Sequence, residues 1–150
     1  MAQPKDYRDL IVWQKAMSLA RYAYAQTAPF PKSGVYGLIA QIRRAAVSIP
    51  SNIAEGHGRL TDSQFRHFLG NARGSLCELR TQVELAADFG FMEKNPMQDM
   101  MSLSAEVNRM LNGLTSSMSE LKGGSRAPSP ANTASSANYA DGSWHNLEEP

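Results

Sequence analysis

Apolar residues return every three or four positions through most of the first 122 residues, which is the period of one helical face and not the alternation of a strand. The pattern predicts a first helix over about 7–27, with Leu10, Trp13, Met17, Ala20 and Tyr24 as its inner stripe. Asp6 and Asp9 suit the positive end of its dipole. Pro29 and Pro31 then interrupt the chain. A second helix is predicted over about 34–55, ending at Gly56-His57-Gly58. Ile42, Ala46, Ile49 and Ile53 lie on one of its faces; Gln41, Arg44, Ser48, Ser51, Asn52 and Glu55 lie on the other. Pro50 falls in its interior, where proline costs roughly 3 kcal/mol and bends the helix. The apolar stripe keeps its register past Pro50, so the bend reads as a shaped packing element.

The run Thr61-Asp62-Ser63-Gln64 has the form of a capping box and starts a third helix. Its stripe, Phe65, Leu69, Ala72, Leu76, Leu79, Val83 and Ala86, repeats every seven residues and ends at Phe89-Gly90. Asn95-Pro96 suits the cap and first turn of a fourth helix. Met97, Met101, Ser104, Val107, Leu111, Leu114, Met118 and Leu121 point inward, with Met100 and Met110 beside that stripe. Four helices with heptad-like seams and short connections make an all-α, up-and-down four-helix bundle over residues 1–122.

Composition changes after Lys122. Of the 28 residues from Gly123 to Pro150, 19 are Gly, Ser, Pro, Ala or Asn, too little apolar surface to offset the entropy of ordering. Residues 123–150 are therefore expected to be a disordered tail. Its last stretch, from Tyr139 through Trp144 to Glu148 and Glu149, is aromatic and acidic, and reads either as a docking peptide or as an unselected extension.

Formal charge is only +1, but it is unevenly placed: +3 over residues 1–122 and −2 over 123–150. Cys77 is the lone cysteine, so no disulfide can form within one chain, and a reducing compartment fits. The N-terminus has no apolar signal core, and no 18-residue apolar run exists. A cytoplasmic protein without a membrane span is expected.

No enzyme signature is found, and no cofactor or metal is expected. The bundle holds only His57 and His67, without the paired Glu-x-x-His of a di-iron site. No Cys pair or His-Glu-x-x-His supports zinc. Cys77 and His67 lie ten residues apart on one helix, roughly 15 Å by helical rise, too far for a nucleophile and its base. The methionines of the fourth helix read more simply as gap-filling core than as a binding surface, and Trp13 as a core anchor.

The arginines carry more information. Arg59, Arg66, Arg73 and Arg80 recur every seven residues, and the last three lie close to one line on a shoulder of the third helix. With Arg43 and Arg44 they are candidates for contacting a phosphate backbone. The competing reading is that shoulder arginines pack their stems on the seam and pair with acids of a neighbouring helix. Beside them, Gly70, Gly74, Cys77 and Thr81 form a line of small residues away from the seam. Each glycine inside an exposed helix costs about 1 kcal/mol relative to alanine, so close approach by another helix is expected. That neighbour is either the second helix, through Val47 and Ala54, or a helix of another subunit. These six residues are the candidate oligomer interface.

The stretch Gln41-Ile-Arg-Arg-Ala-Ala-Val-Ser-Ile-Pro-Ser-Asn-Ile-Ala-Glu-Gly56 resembles the signature of the four-helix-bundle family named for proteins encoded in 23S rRNA intervening sequences. The likeness begins at Tyr7-Arg8-Asp9-Leu10-Ile11-Val12-Trp13-Gln14-Lys15-Ala16. It continues through Phe30-Pro31-Lys32, Tyr36-Gly37-Leu38, Phe65, Phe68-Leu69, Gly74-Ser75-Leu76, Glu78-Leu79 and Phe89-Gly90-Phe91, and covers about residues 6–122. It implies a homo-oligomer, a pentameric ring, without fixing a molecular function. Related bundles are accessory proteins to the reverse transcriptases of diversity-generating retroelements, where they engage protein and nucleic acid. The expected function is a non-enzymatic homo-oligomeric scaffold associated with structured RNA, with DNA, or with an RNA–protein complex such as a retroelement reverse transcriptase. The alternative is a protein–protein adaptor with no nucleic-acid role.

Overall fold

A computed structural model describes residues 4–32 and 35–120, and in them the chain forms four helices. The expected tail at 123–150, and Leu121 of the fourth stripe, lie outside the described residues. After a single 3-10 turn at Tyr7–Asp9 come α1 (Ile11–Thr27), α2 (Tyr36–His57), α3 (Asp62–Asp88) and α4 (Lys94–Glu120).

Each helix packs on its two neighbours around a square: α1 on α2, α2 on α3, α3 on α4, and α4 back on α1. The backbones of the diagonal pairs, α1 with α3 and α2 with α4, nowhere come within 8 Å of each other among the described residues. Side-chain bonds between helices fix the register. Ser48 meets Ser75 at 2.8 Å, and Gln82 donates to Gln41 at 3.5 Å, so α2 and α3 run antiparallel. Tyr22 donates to Asp99 at 3.3 Å and Lys15 pairs with Glu106 at 3.1 Å, which sets α1 antiparallel to α4.

The core follows the expected seams of α2 and α3. Ile42, Ala46, Ile49 and Ile53 are buried against the whole predicted α3 stripe, from Phe65 to Ala86. Thr61 caps α3, its hydroxyl accepting the Gln64 N–H at 3.2 Å. The helix closes in a Schellman arrangement: Phe91 N–H bonds Ala86 O and Gly90 N–H bonds Ala87 O. Gly90 takes φ +79°, the left-handed conformation this end requires.

Five expectations about the helices need correction. The first helix begins at Ile11, not near residue 7, because Leu10 is extended (φ −70°, ψ 121°) and separates it from the short turn that Asp6 caps. The inner stripe of α1 is Val12, Ala16, Leu19, Ala20, Ala23 and Thr27; Trp13 and Met17 are half-buried and Tyr24 is 45% exposed. Small side chains face the core here because they let α1 come close, while the larger ones turn outward. In α4 the first buried residue is Met100, with Ser104, Val107, Leu111 and Met118; Met97 and Met101 are half-buried. That helix starts at Lys94, with Met97 N–H already bonded to Glu93 O, so Asn95 lies within the first turn instead of capping it.

The second helix also runs past its expected stop and takes in Gly56 and His57. Gly56 is buried because α3 crosses it closely: a Cβ there would stand 2.7 Å from Phe68 Cβ and 2.9 Å from Phe65 Cδ2. Pro50 is buried inside α2, which stays helical on both sides of it.

Candidate functional site

The six candidate arginines do not form one patch. Arg43 turns to the α1 side of α2, where its Nε donates to Thr27 Oγ1 at 2.9 Å and its guanidinium lies 4.6 Å from the centre of the Tyr24 ring. Arg44 is exposed and reaches Gln41 at 3.5 Å. Arg59 sits in the connection between α2 and α3, held by Glu55 at 2.7 Å and stacked over Phe68.

Arg66, Arg73 and Arg80 remain together on α3. Seven residues turn a helix almost two full rounds, leaving a drift of only about 20° per step, and advance it by roughly 10 Å. Ser75 and Gln82 face α2 on one flank of the buried seam; helical phase puts the three arginines on the other flank, toward α4. Arg73 is exposed and the other two are half-buried. Among the described residues none of the three has a carboxylate within ion-pair distance, whereas Arg8, Lys15 and Arg59 each do. Among the described residues, pairing with acids of a neighbouring helix therefore does not account for them. The Arg66 Nε is buried and has no hydrogen-bond partner among the described residues.

The candidate interface residues divide between two surfaces. Val47 and Ala54 line a groove between α1 and α2, together with Trp13, Met17, Tyr24 and Pro50. Its volume is about 550 Å³ and its walls are largely apolar. Tyr7 stacks edge-on to Trp13 at its end, 5.3 Å between ring centres. The groove explains the misplaced stripe of α1: this helix has two apolar faces, and the bulkier one looks out. Two adjacent apolar faces on one helix, the inner marked by Ala16, Leu19, Ala23 and Thr27, are the sequence signal that would have revealed it.

Gly70, Gly74, Cys77 and Thr81 lie instead on the outward face of α3, all exposed. Apart from the helix's own adjoining residues, no atom of the described residues stands within 4 Å of a Cβ built at Gly70 or Gly74. The second helix is therefore not the close neighbour expected for these glycines; within the chain that role falls to Gly56.

The described residues hold no group of three or more His, Cys, Asp or Glu side chains placed to bind a metal ion. His57 is tied to the Pro4 carbonyl at 2.9 Å, and Cys77 is an exposed free thiol. Burial, followed by the charge and hydrogen bond of Asp99, raises the pKa of Tyr22 above its ordinary value of 10.0. No described helix is long and apolar enough to cross a membrane.

What these features define is an antiparallel four-helix bundle with an arginine-lined flank and an open apolar groove. The sequence pattern of the 23S rRNA-intervening sequence protein family matches residues 8–113, and the chain belongs to that family. Its fold is similar to that of a crystal structure from Bacteroides thetaiotaomicron, described as a protein with unknown function from the S23 ribosomal protein family. The TM-score is 0.64 at 22% identity, over 70% of this chain and 98% of that one. At that identity the likeness is one of fold. No curated protein is significantly similar in sequence.

Proposed function

We propose that this protein is a non-enzymatic, homo-oligomeric scaffold that engages structured RNA, or an RNA–protein complex such as a retroelement reverse transcriptase, through the arginine flank of α3. One observation carries the reading: Arg66, Arg73 and Arg80 share one line and have no carboxylate partner among the described residues. Arginines spaced along a line can follow a phosphate backbone, and backbone contacts supply affinity without sequence preference. One such line per subunit is weak. A ring repeats it, and linked weak sites gain avidity by orders of magnitude. Family membership is consistent with this reading, and the assembly we propose is the pentamer that the family resemblance implies. No cofactor takes part, and DNA offers the same phosphate chemistry as RNA. A cytoplasmic setting suits both partners.

Replacing all three arginines by glutamine keeps polarity and removes three charges per subunit. Binding to a structured RNA is expected to weaken, and its salt dependence to become shallower by about 0.7–0.9 per lost phosphate contact. Mass by light scattering and melting temperature confirm that the variant is folded and assembled. An intact variant that binds as before makes the line structural. A wild-type protein that binds no RNA in low salt leaves the protein–protein adaptor as the function, a reading favoured by the open apolar groove.

A further inference from the structure

The groove between α1 and α2 and the outward face of α3 are surfaces that phosphate binding does not use. We propose that a second copy of this chain fills the groove, laying the outward face of its α3 against Trp13, Met17, Tyr24, Val47 and Ala54. The proposal rests on the homo-oligomeric reading above and assigns its contact.

The groove is an open apolar surface with an aromatic floor, and Tyr24 and Val47 remain 45% and 44% exposed in the single chain. Contiguous apolar surface of this kind marks an interaction site more often than isolated exposed residues do. Its rim carries Arg21, exposed and without an ion pair among the described residues. The facing surface must therefore offer an acid and be flat enough to admit the bulky lining. The outward face of α3 offers both. Glu78 is exposed there and likewise unpaired, and around Gly70 and Gly74 the surface is bare helix.

Height along the bundle agrees. The Arg43–Thr27 bond sets the register of α1 on α2, and the Ser48–Ser75 and Gln41–Gln82 bonds set that of α2 on α3. Following both, Arg21 comes level with Ile49 and Pro50, and these with Gly74. Glu78 is one turn further, about 6 Å along the axis, within reach of an arginine side chain. Val47 comes level with Cys77. Two bundles lying side by side in the same orientation thus bring Arg21 of one copy near Glu78 of the next.

The two surfaces are different parts of each chain, so the contact is heterologous. Such a contact repeats from copy to copy and ends in a ring where the rotation closes.

Two single-cysteine proteins test this: the unaltered chain, whose one thiol is Cys77, and Val47→Cys combined with Cys77→Ser. Co-expressed with tags of different size and oxidised, they are expected to give a covalent heterodimer in excess of either homodimer. Arg21→Glu and Glu78→Arg are each expected to lower the mass measured by light scattering, and the two together to restore it. A monomeric wild-type protein overturns the homo-oligomeric reading itself. An oligomeric wild type that forms no heterodimer, and whose mass neither single change alters, overturns the groove assignment alone and leaves the groove to another protein.

Discussion

Gly56→Ala should destabilise the bundle, although alanine is the better helix former. The gain is about 1 kcal/mol, the helix-propensity difference between the two residues. Against it stands the crossing of α3. The new Cβ would meet Phe68 Cβ at 2.7 Å, Phe65 Cδ2 at 2.9 Å and the Phe65 carbonyl oxygen at 3.3 Å. Carbon atoms prefer roughly 3.5–4.0 Å. The Phe65 ring can swing aside, but Phe68 Cβ and the Phe65 carbonyl move only with the backbone of α3. Relief therefore requires α3 to shift by most of an ångström at its tightest contact with α2. Overpacking of this kind costs typically 1–3 kcal/mol, so the net loss should reach up to about 2 kcal/mol, or several degrees of melting temperature. Gly113→Ala is the control, because nothing lies within 4 Å of its added Cβ; it should gain about 0.5–1 kcal/mol. Urea unfolding of the two variants beside the wild type gives both signs. If Gly56→Ala stabilises as Gly113→Ala does, the close approach of α2 and α3 at this point is refuted.

Thr61→Ala removes the hydroxyl that accepts the Gln64 N–H and should cost about 1 kcal/mol in urea unfolding, while Thr61→Ser should cost far less. Pro50→Ala restores a backbone donor within α2 and should raise the melting temperature of the subunit; because Pro50 lines the groove, it should also lower the assembled mass, and a fall in melting temperature would count against this. Tyr22 has its folded pKa raised by burial and by Asp99, so its contribution is complete below the unfolded value of 10.0 and is lost as pH rises through the folded one. The wild type should accordingly lose urea resistance more steeply than Tyr22→Phe as pH rises above the unfolded value of 10.0, and parallel curves would remove Tyr22 from the account.

The seams of α2 and α3 are readable from the chain because their large apolar residues fall on one face: in α3, Leu79 and Val83 each stand between two polar residues and have only one way to turn. The first helix was read on the wrong face because it has two. Trp13, Met17 and Tyr24 are among the bulkiest residues in it, but close packing against α2 and α4 favours Ala16, Ala20 and Ala23. The fourth helix was misphased at its start, where three methionines within five residues suit more than one register and only contact with the other helices selects Met100. The arginine line at 66, 73 and 80 was visible as a seven-residue repeat. Its lack of acidic partners was not, since that depends on where α4 places its own charges. Gly56 looked like a helix stop because glycine in that setting usually is; its role appears only once α3 crosses it.

Closure of the square by α1 and α4 has a consequence for synthesis. These are the first and last of the described helices, yet they are neighbours. The α2–α3 hairpin is local and can form as soon as α3 is complete, but the side of α1 that holds Val12 and meets α4 stays open until the chain has been extended from Asp88 to Glu120. At ordinary translation rates of about 5–20 residues per second, that interval lasts about 2–6 s. Throughout it the nascent chain presents both apolar faces of α1, the side awaiting α4 and the groove. Any interruption of translation within α4 prolongs that exposure, so the 27 residues of this helix govern whether a newly made chain closes its bundle or adheres to its neighbours.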